Sequence, residues 1–130
     1  MNHLQQIAQS YEEYTSLLER TTIMEGDYKD VFDNYNDEEN FIFIDQPYDS
    51  TFNDYGGDNF TRQNQLELFE KFKSSKSKCM MIVGGSDFIR DLYKDYIIYE
   101  YPKKYSFKIY AGRIGEEINV NHLVITNYKH

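Results

Sequence analysis

The sequence has few residues of several types, and each shortage excludes a class of protein. Its single cysteine, Cys79, excludes an internal disulfide framework and a cysteine-rich zinc site. The histidines His3, His122 and His130 show no metal-ligand spacing, so we expect no metal site. No stretch approaches the roughly 18 apolar residues of a membrane helix, and the first residues lack the pattern of a secretory signal. We therefore expect an intracellular, cytoplasmic protein, or one that acts in a host cell if the source is viral.

Positive charge is also in short supply. Fourteen Lys and Arg residues against twenty-two Asp and Glu residues give a formal net charge of −8. A protein that binds nucleic acid unaided has a basic footprint, so the charge argues against that class. It does not exclude a chain that supplies only part of a nucleic-acid site. The length of 130 residues and the 40% hydrophobic content suit one domain with a real core.

Hydrophobic periodicity and capping residues divide the chain into alternating helices and strands. We predict, in chain order, a helix over residues 4–18, a strand over 21–24, a helix capped by Asp27, a strand over 41–44, a helix from Thr61, a strand over 78–83, a helix capped by Ser86, and strands at 97–99, 105–110 and 122–126. The apolar face of the helix from Thr61 comprises Leu66, Leu68, Phe69 and Phe72. This order predicts an α/β fold with a parallel sheet and an antiparallel edge, formed by a terminal hairpin of 105–110 and 122–126 around a loop at 111–120. Cys79 falls within a buried strand, so we expect a core thiol rather than a nucleophile.

The most informative segment is Asp45-Gln46-Pro47-Tyr48, which directly follows the strand at 41–44. Ligands of open α/β sheets bind beyond the carboxyl ends of the strands. There, an aromatic ring can stack on a planar group, and a carboxylate with nearby backbone carbonyls can accept hydrogen bonds from an amine. The alternative from these residues alone is structural: Asp45 caps a turn, Pro47 stiffens it and Tyr48 packs.

The tetrapeptide resembles the Asp-Pro-Pro-Tyr catalytic motif of the Dam-like adenine-specific DNA methyltransferases. The resemblance extends, in the family's order, to TTIMEGDYKDVF (21–32), FIFIDQPYDSTFNDYGGDNF (41–60), KCMMIVGGSDFIRDLYKDYIIYEY (78–101) and the segments 103–113 and 117–128. It implies a partial Rossmann-like methyltransferase sheet, with parallel strands, helices and a C-terminal antiparallel hairpin.

The resemblance also implies roles for individual residues. Asp45 and the backbone carbonyl of Gln46 would hold the exocyclic amine of an adenine flipped out of double-stranded DNA, with Pro47 shaping the turn and Tyr48 stacking on the base. The methyl donor would be S-adenosylmethionine, without a metal, and the cofactor-binding residues would be Asp27, Tyr28 and Asp45. The DNA contacts would come from the terminal hairpin, at Lys104, Lys108 and Arg113. Such enzymes serve DNA methylation and restriction–modification.

The sequence departs from the family in two ways. Gln46 stands where the family has proline, which retains the carbonyl but not the fixed φ. The family's glycine-rich cofactor turn and DNA-reading segment have no counterpart, and no Gly-x-Gly occurs. We therefore expect 1–130 to be a single domain, the C-terminal part of a catalytic domain. The strand at 41–44 would then be an edge strand that pairs with a separately encoded N-terminal half or with a second copy.

Two alternatives stay open at this point. The chain could be a catalytically inactive remnant that acts as an interaction or regulatory subunit. A basic cluster before the strand at 78–83 could be a solvated helix end or a contact for DNA phosphates; its members are Lys71, Lys73, Lys76 and Lys78.

Overall fold

The computed structural model describes residues 2–47, 60–105 and 118–129 of the chain. These residues form four helices and four strands. In chain order they are α1 (His3–Glu19), α2 (Tyr28–Asn34), β1 (Phe41–Ile44), α3 (Arg62–Ser74), β2 (Lys78–Gly84), α4 (Asp87–Leu92), β3 (Ile97–Tyr105) and β4 (Ile118–Thr126). The mixed α/β architecture predicted from the sequence is confirmed.

The four strands form one sheet in the order β1-β2-β4-β3. β1 and β2 are parallel, whereas β4 is antiparallel to both of its neighbours, β2 and β3. The antiparallel pair of β3 and β4 therefore forms one edge of the sheet, as predicted, with β3 outermost and β4 inside. This order arises because the chain passes from β2 through α4 to β3, which lies two strand positions from β2. β4 fills the gap and satisfies its backbone groups on both sides.

The terminal hairpin begins earlier than predicted. β3 runs through Pro102, and it is β3 that pairs with β4, with Ile97 opposite Ile125 and Tyr101 opposite His122. The sequence-based prediction ends one strand before Pro102 and begins another after it. Proline is nevertheless tolerated in an edge strand, because one side of its backbone needs no partner. Residues 106–110, the rest of the predicted hairpin strand, lie outside the described residues. β4 also takes up 118–120, which had been predicted as loop.

The predicted strand at 21–24 is wrong. Thr21 to Met24 have no regular secondary structure, and the Ile23 side chain is 87% exposed. A strand requires a partner for its backbone groups, and none of the four described strands pairs with this segment.

All three predicted helix starts are confirmed. Asp27 caps α2 by accepting a hydrogen bond from the Lys29 backbone N–H at 2.8 Å. Thr61 caps α3, and Ser86 caps α4 by accepting from the Ile89 backbone N–H at 3.3 Å. Each cap satisfies backbone donors that have no partner within the helix.

The core lies between the sheet and the helices α3 and α4. Phe72 and Tyr93 are fully buried, with ring centroids 5.5 Å apart in an edge-to-face arrangement. Leu66 is 41% exposed, so its prediction as a core residue is wrong, and the neighbouring Gln65 is buried instead. Residues 65, 68 and 72 are three and four positions apart, and this spacing places them on one helix face.

Cys79 lies in this core, as predicted. Its side chain is fully buried, and burial raises the pKa of the thiol. Asn127 joins the surrounding elements, because its side chain accepts a hydrogen bond from the Cys79 N–H at 2.8 Å and donates to the Phe72 carbonyl at 3.0 Å. These bonds tie the end of α3 and the start of β2 to the residue that follows β4.

Two apolar surfaces remain exposed. α1 buries none of its residues, although it carries an apolar stripe at the three- and four-residue spacing of a helix face: Leu4, Ile7, Tyr11, Tyr14, Leu17 and Leu18. β1 has β2 as its one neighbour among the described strands, which confirms its edge position there, and Phe41 and Phe43 are 56% and 55% exposed. None of the helices in the described part of the chain has the length and apolar character needed to cross a membrane.

Candidate catalytic site

The candidate site lies where the parallel strands β1 and β2 end. The two strands are in register from Phe41 opposite Lys78 to Ile44 opposite Met81. Asp45-Gln46-Pro47 therefore leaves the sheet at the same end of the strands as the turn at Gly84-Gly85. This edge of an α/β sheet is where ligands bind.

The alternating burial of β1 continues past the end of the strand. Asp45 and Pro47 are exposed, like Phe41 and Phe43, whereas Gln46 is buried. Successive side chains of extended backbone point to opposite faces, so this alternation turns the Asp45 carboxylate outward and the Gln46 amide inward. The carboxylate is thus accessible to a ligand.

Two buried glutamines lie beneath this segment. The Gln46 Nε2 donates a hydrogen bond to the Met81 Sδ at 3.7 Å, and the Gln65 Nε2 donates to the backbone carbonyl of Pro47 at 3.3 Å. The Oε1 atoms of both glutamines are buried and have no hydrogen-bond partner among the described residues. Gln65 was missed by the sequence analysis. One signal was available in the sequence. Gln65 is polar, yet its spacing of three and seven residues from Leu68 and Phe72 assigns it to the buried face of α3.

Two of the three predicted cofactor residues, Asp27 and Tyr28, lie at the start of α2. Asp27 is exposed, and Tyr28 packs its ring edge-to-face on Phe60 with centroids 6.0 Å apart. The Tyr28 hydroxyl is buried without a partner in the described parts of the chain, and burial raises its pKa. Phe60 directly precedes the α3 cap, and Gln65 of α3 contacts Pro47. The start of α3 therefore contacts both the predicted cofactor residues and the motif.

Several predicted site residues fall outside this description. Tyr48, Lys108 and Arg113 lie outside the described residues. The backbone of Lys104 lies in β3 opposite Asn119, and nothing is described of its side chain.

In the basic cluster before β2, Lys71 forms an ion pair with Asp33 at 2.6 Å and Lys73 with Glu70 at 3.0 Å. Among the described residues, no group of three or more His, Cys, Asp or Glu side chains is placed to hold a metal ion.

An ion pair covers the turn after β2. Arg90 donates two hydrogen bonds to the Glu100 carboxylate, at 2.8 and 2.5 Å, and its Nε donates to the Gly85 carbonyl at 3.1 Å. Asn121 donates to the same carboxylate at 2.6 Å. A Cβ atom at Gly85 would lie 2.7 Å from the Arg90 Nη2, so a side chain there would displace the ion pair. The turn is thereby tied to β3 and β4.

This ion pair gives a testable pH dependence. Hydrogen bonds from Arg90 and Asn121 lower the pKa of Glu100 from 4.5 to about 2. A pKa that is depressed in the folded state adds stability above the unfolded-state value, and this stability is lost as the pH falls towards 2. We expect Glu100→Gln to flatten the fall in unfolding free energy between about pH 5 and pH 2, measured by urea unfolding. Glu38→Gln, at an exposed acid, is the control, and equal slopes for Glu100→Gln and wild type would contradict the expectation.

The fold and this motif together define a class of protein, the adenine-specific methyltransferases. The family model for D12 class N6 adenine-specific DNA methyltransferases matches residues 2–107, which is most of the chain, and the chain belongs to this family. It is also 50% identical over 117 residues to the Type II methyltransferase M.CviBI of Paramecium bursaria Chlorella virus NC1A. That alignment covers 90% of this chain but 45% of the relative, so the chain spans less than half the relative's length.

These comparisons confirm the family predicted from the sequence. The family consists of enzymes that methylate adenine in DNA, which implies a methyl donor and a DNA substrate. The alternative of a catalytically inactive regulatory subunit receives no support from the comparisons.

Proposed function

We propose that the chain supplies the adenine-binding part of a DNA methyltransferase that transfers a methyl group to the N6 amine of adenine. The observation that carries this proposal is the outward-facing Asp45 at the carboxyl end of β1, in a segment that resembles the family's Asp-Pro-Pro-Tyr motif and lies within the residues matched by the family model. The relative is a Type II methyltransferase. We propose that this chain, like enzymes of that type, acts in restriction–modification.

The chemistry of the proposed reaction requires a more nucleophilic amine. The Asp45 carboxylate and the Gln46 carbonyl both accept hydrogen bonds, and an amine held by two acceptors is oriented with increased electron density at nitrogen. As the bond between the amine nitrogen and the methyl group forms, the bond between that methyl group and its donor would break. The amine would then lose a proton to solvent, and the negative charge of Asp45 would stabilise the positive charge that develops before this loss. Tyr48 would stack on the flipped base and offset part of the unstacking cost.

The proposed methyl donor is S-adenosylmethionine, which supplies a methyl group on a positively charged sulfur. Asp27 and Tyr28 fit the adenosyl part of such a group in chemical type. Asp27 offers an exposed carboxylate, and Tyr28 offers a hydroxyl that lacks a partner among the described residues. Asp45, with its negative charge, would lie near the sulfonium end. We propose these three residues as the chain's contribution to the cofactor site.

The chain also needs a partner on this proposal. The chain spans 45% of the relative, and within the described residues β1 has one free edge and the apolar stripe of α1 is uncovered. These features support association with a polypeptide that carries the remainder of the domain, or with a second copy. Lys104 in β3, together with Lys108 and Arg113 further along the chain, would contribute DNA phosphate contacts, and the partner would supply most of the basic surface. DNA as substrate implies action inside a cell, which is the host cell for a virus.

The test is transfer of labelled methyl from S-adenosylmethionine to unmethylated double-stranded DNA. The chain is assayed alone and mixed with the part of the viral relative that the alignment leaves uncovered, and that part alone is the control. We expect label at adenine N6 when this chain is present, with a higher rate in the mixture. Label that appears in the mixture alone supports the need for a partner polypeptide. Equal rates with and without the added part argue against that need. Absence of label under all conditions overturns the proposed function.

A further inference from the structure

The segment after β1 is held from below by the side chain of Gln65. This side chain is 2% exposed, and its Nε2 lies 3.3 Å from the carbonyl oxygen of Pro47, 18 residues away in sequence. The buried Gln65 amide donates to this carbonyl, and the bond therefore restrains a residue that is itself exposed. The bond links α3, which is anchored in the core by Phe72, to the segment that carries Asp45.

The carbonyl of Pro47 is a critical point of this segment. The ring fixes φ of Pro47, so ψ is the one soft backbone dihedral of that residue. ψ determines how the peptide that follows Pro47 is directed. A hydrogen bond to the carbonyl oxygen restricts this dihedral.

The preceding residue lacks such a restraint. Gln46 has no ring to fix its φ, and its side chain is anchored by the contact of Nε2 with the Met81 Sδ at 3.7 Å. The side-chain amide of Gln46, within the segment, and that of Gln65, from α3, thus restrain a stretch in which one of the two rings of an Asp-Pro-Pro-Tyr sequence is absent.

We propose that Gln65 is a positioning residue of the methyl-transfer site, whose amide holds the Pro47 carbonyl and so orients the Pro47–Tyr48 peptide. This inference rests on the proposed function for its catalytic consequence, whereas the hydrogen bond itself can be tested separately.

The first experiment measures the hydrogen bond in the full chain. The carbonyl ¹³C signal of Pro47, detected through the Tyr48 N–H, is compared between wild type, Gln65→Leu and Gln65→Met. Both replacements approximate the size of glutamine, and neither can donate. The control is Gln63→Leu on the same helix, since Gln63 is exposed and contacts Glu67 rather than the motif. We expect the signal to move upfield in both Gln65 variants and not in the control. An unchanged signal in the Gln65 variants overturns the proposal.

The second experiment measures methyl transfer in the preparation that is active with wild-type chain. We expect Gln65→Leu to lower kcat by roughly 10- to 100-fold, because small displacements of positioned groups have effects of this size, with KM for S-adenosylmethionine unchanged. Adding Gln46→Pro should recover about two- to fivefold of the loss, since proline restrains the same segment covalently. No hydrogen bond of the Gln46 backbone N–H is found among the described residues, so proline removes none there.

The outcomes separate the two proposals. An altered Pro47 signal with unchanged kcat overturns the positioning role, as does a fall in kcat that matches a loss of folded protein and is not relieved by Gln46→Pro. If wild-type chain transfers no methyl group in any preparation, the proposed function fails. The Pro47 signal then still decides whether Gln65 holds the segment.

Discussion

Asp45→Asn is expected to lower methyl transfer to adenine by roughly 10²- to 10⁴-fold in every preparation where wild-type chain is active. Asparagine has nearly the same shape, but it lacks the charge that stabilises the developing positive amine. Its Nδ2 also presents donors to an amine that is itself a donor. The measurement is the initial rate of labelled methyl incorporation at saturating S-adenosylmethionine and DNA.

The control for this prediction is Asp91→Asn. Asp91 lies on α4 and is exposed, so the replacement changes the net charge equally and leaves the site intact. Because Asp45 is also exposed, both variants should unfold within about 0.5 kcal/mol of wild type in urea. Wild-type rates for Asp45→Asn would show that the carboxylate takes no part in the reaction.

Phe72→Ala is expected to lower the free energy of unfolding by about 3–5 kcal/mol. The Phe72 side chain is fully buried and makes edge-to-face contacts with Tyr93 and Tyr96, each with ring centroids 5.5 Å apart. Its removal leaves a cavity where α3 meets the rest of the core. Since a domain of this kind is stable by about 5–15 kcal/mol, this single change removes a large share of the total. Urea unfolding followed by circular dichroism measures the difference.

Leu66→Ala is the matched control on the same helix. Leu66 is 41% exposed and lies outside the core, so its truncation should cost less than about 1 kcal/mol. Equal losses for the two variants would mean that α3 packs with a different face inward.

The sequence predicted the features that depend on neighbouring residues. Asp27, Thr61 and Ser86 were recognisable as helix caps because a cap bonds to backbone groups two or three residues away. The position of β4 between β2 and β3 could not be predicted in this way. It depends on pairing of Met80 with Thr126 and of Ile97 with Ile125, across distances at which periodicity carries no signal.

The candidate site divides along the same line. Asp45 could be identified because it directly follows an apolar strand and because its segment resembles the family's catalytic motif, and the structure shows that it is exposed. Gln65 could not be identified as part of the site, since its partner is the carbonyl of Pro47 and a backbone carbonyl leaves no mark in a sequence. Gln65 and Pro47 are also 18 residues apart in sequence, and this separation does not predict that they are in contact.

Burial alternates from β1 into the motif, so the direction of the Asp45 carboxylate depends on whether the number of positions between it and the strand residues is odd or even. Asp45 faces outward because it is separated from the outward-facing Phe41 and Phe43 by an even number of positions. Deletion of one residue within β1 would exchange the two faces, moving the carboxylate into the core and the Gln46 amide into solvent. Strand β1 can therefore change in sequence more freely than in length, and a loss or gain of two residues would preserve an orientation that a single one reverses.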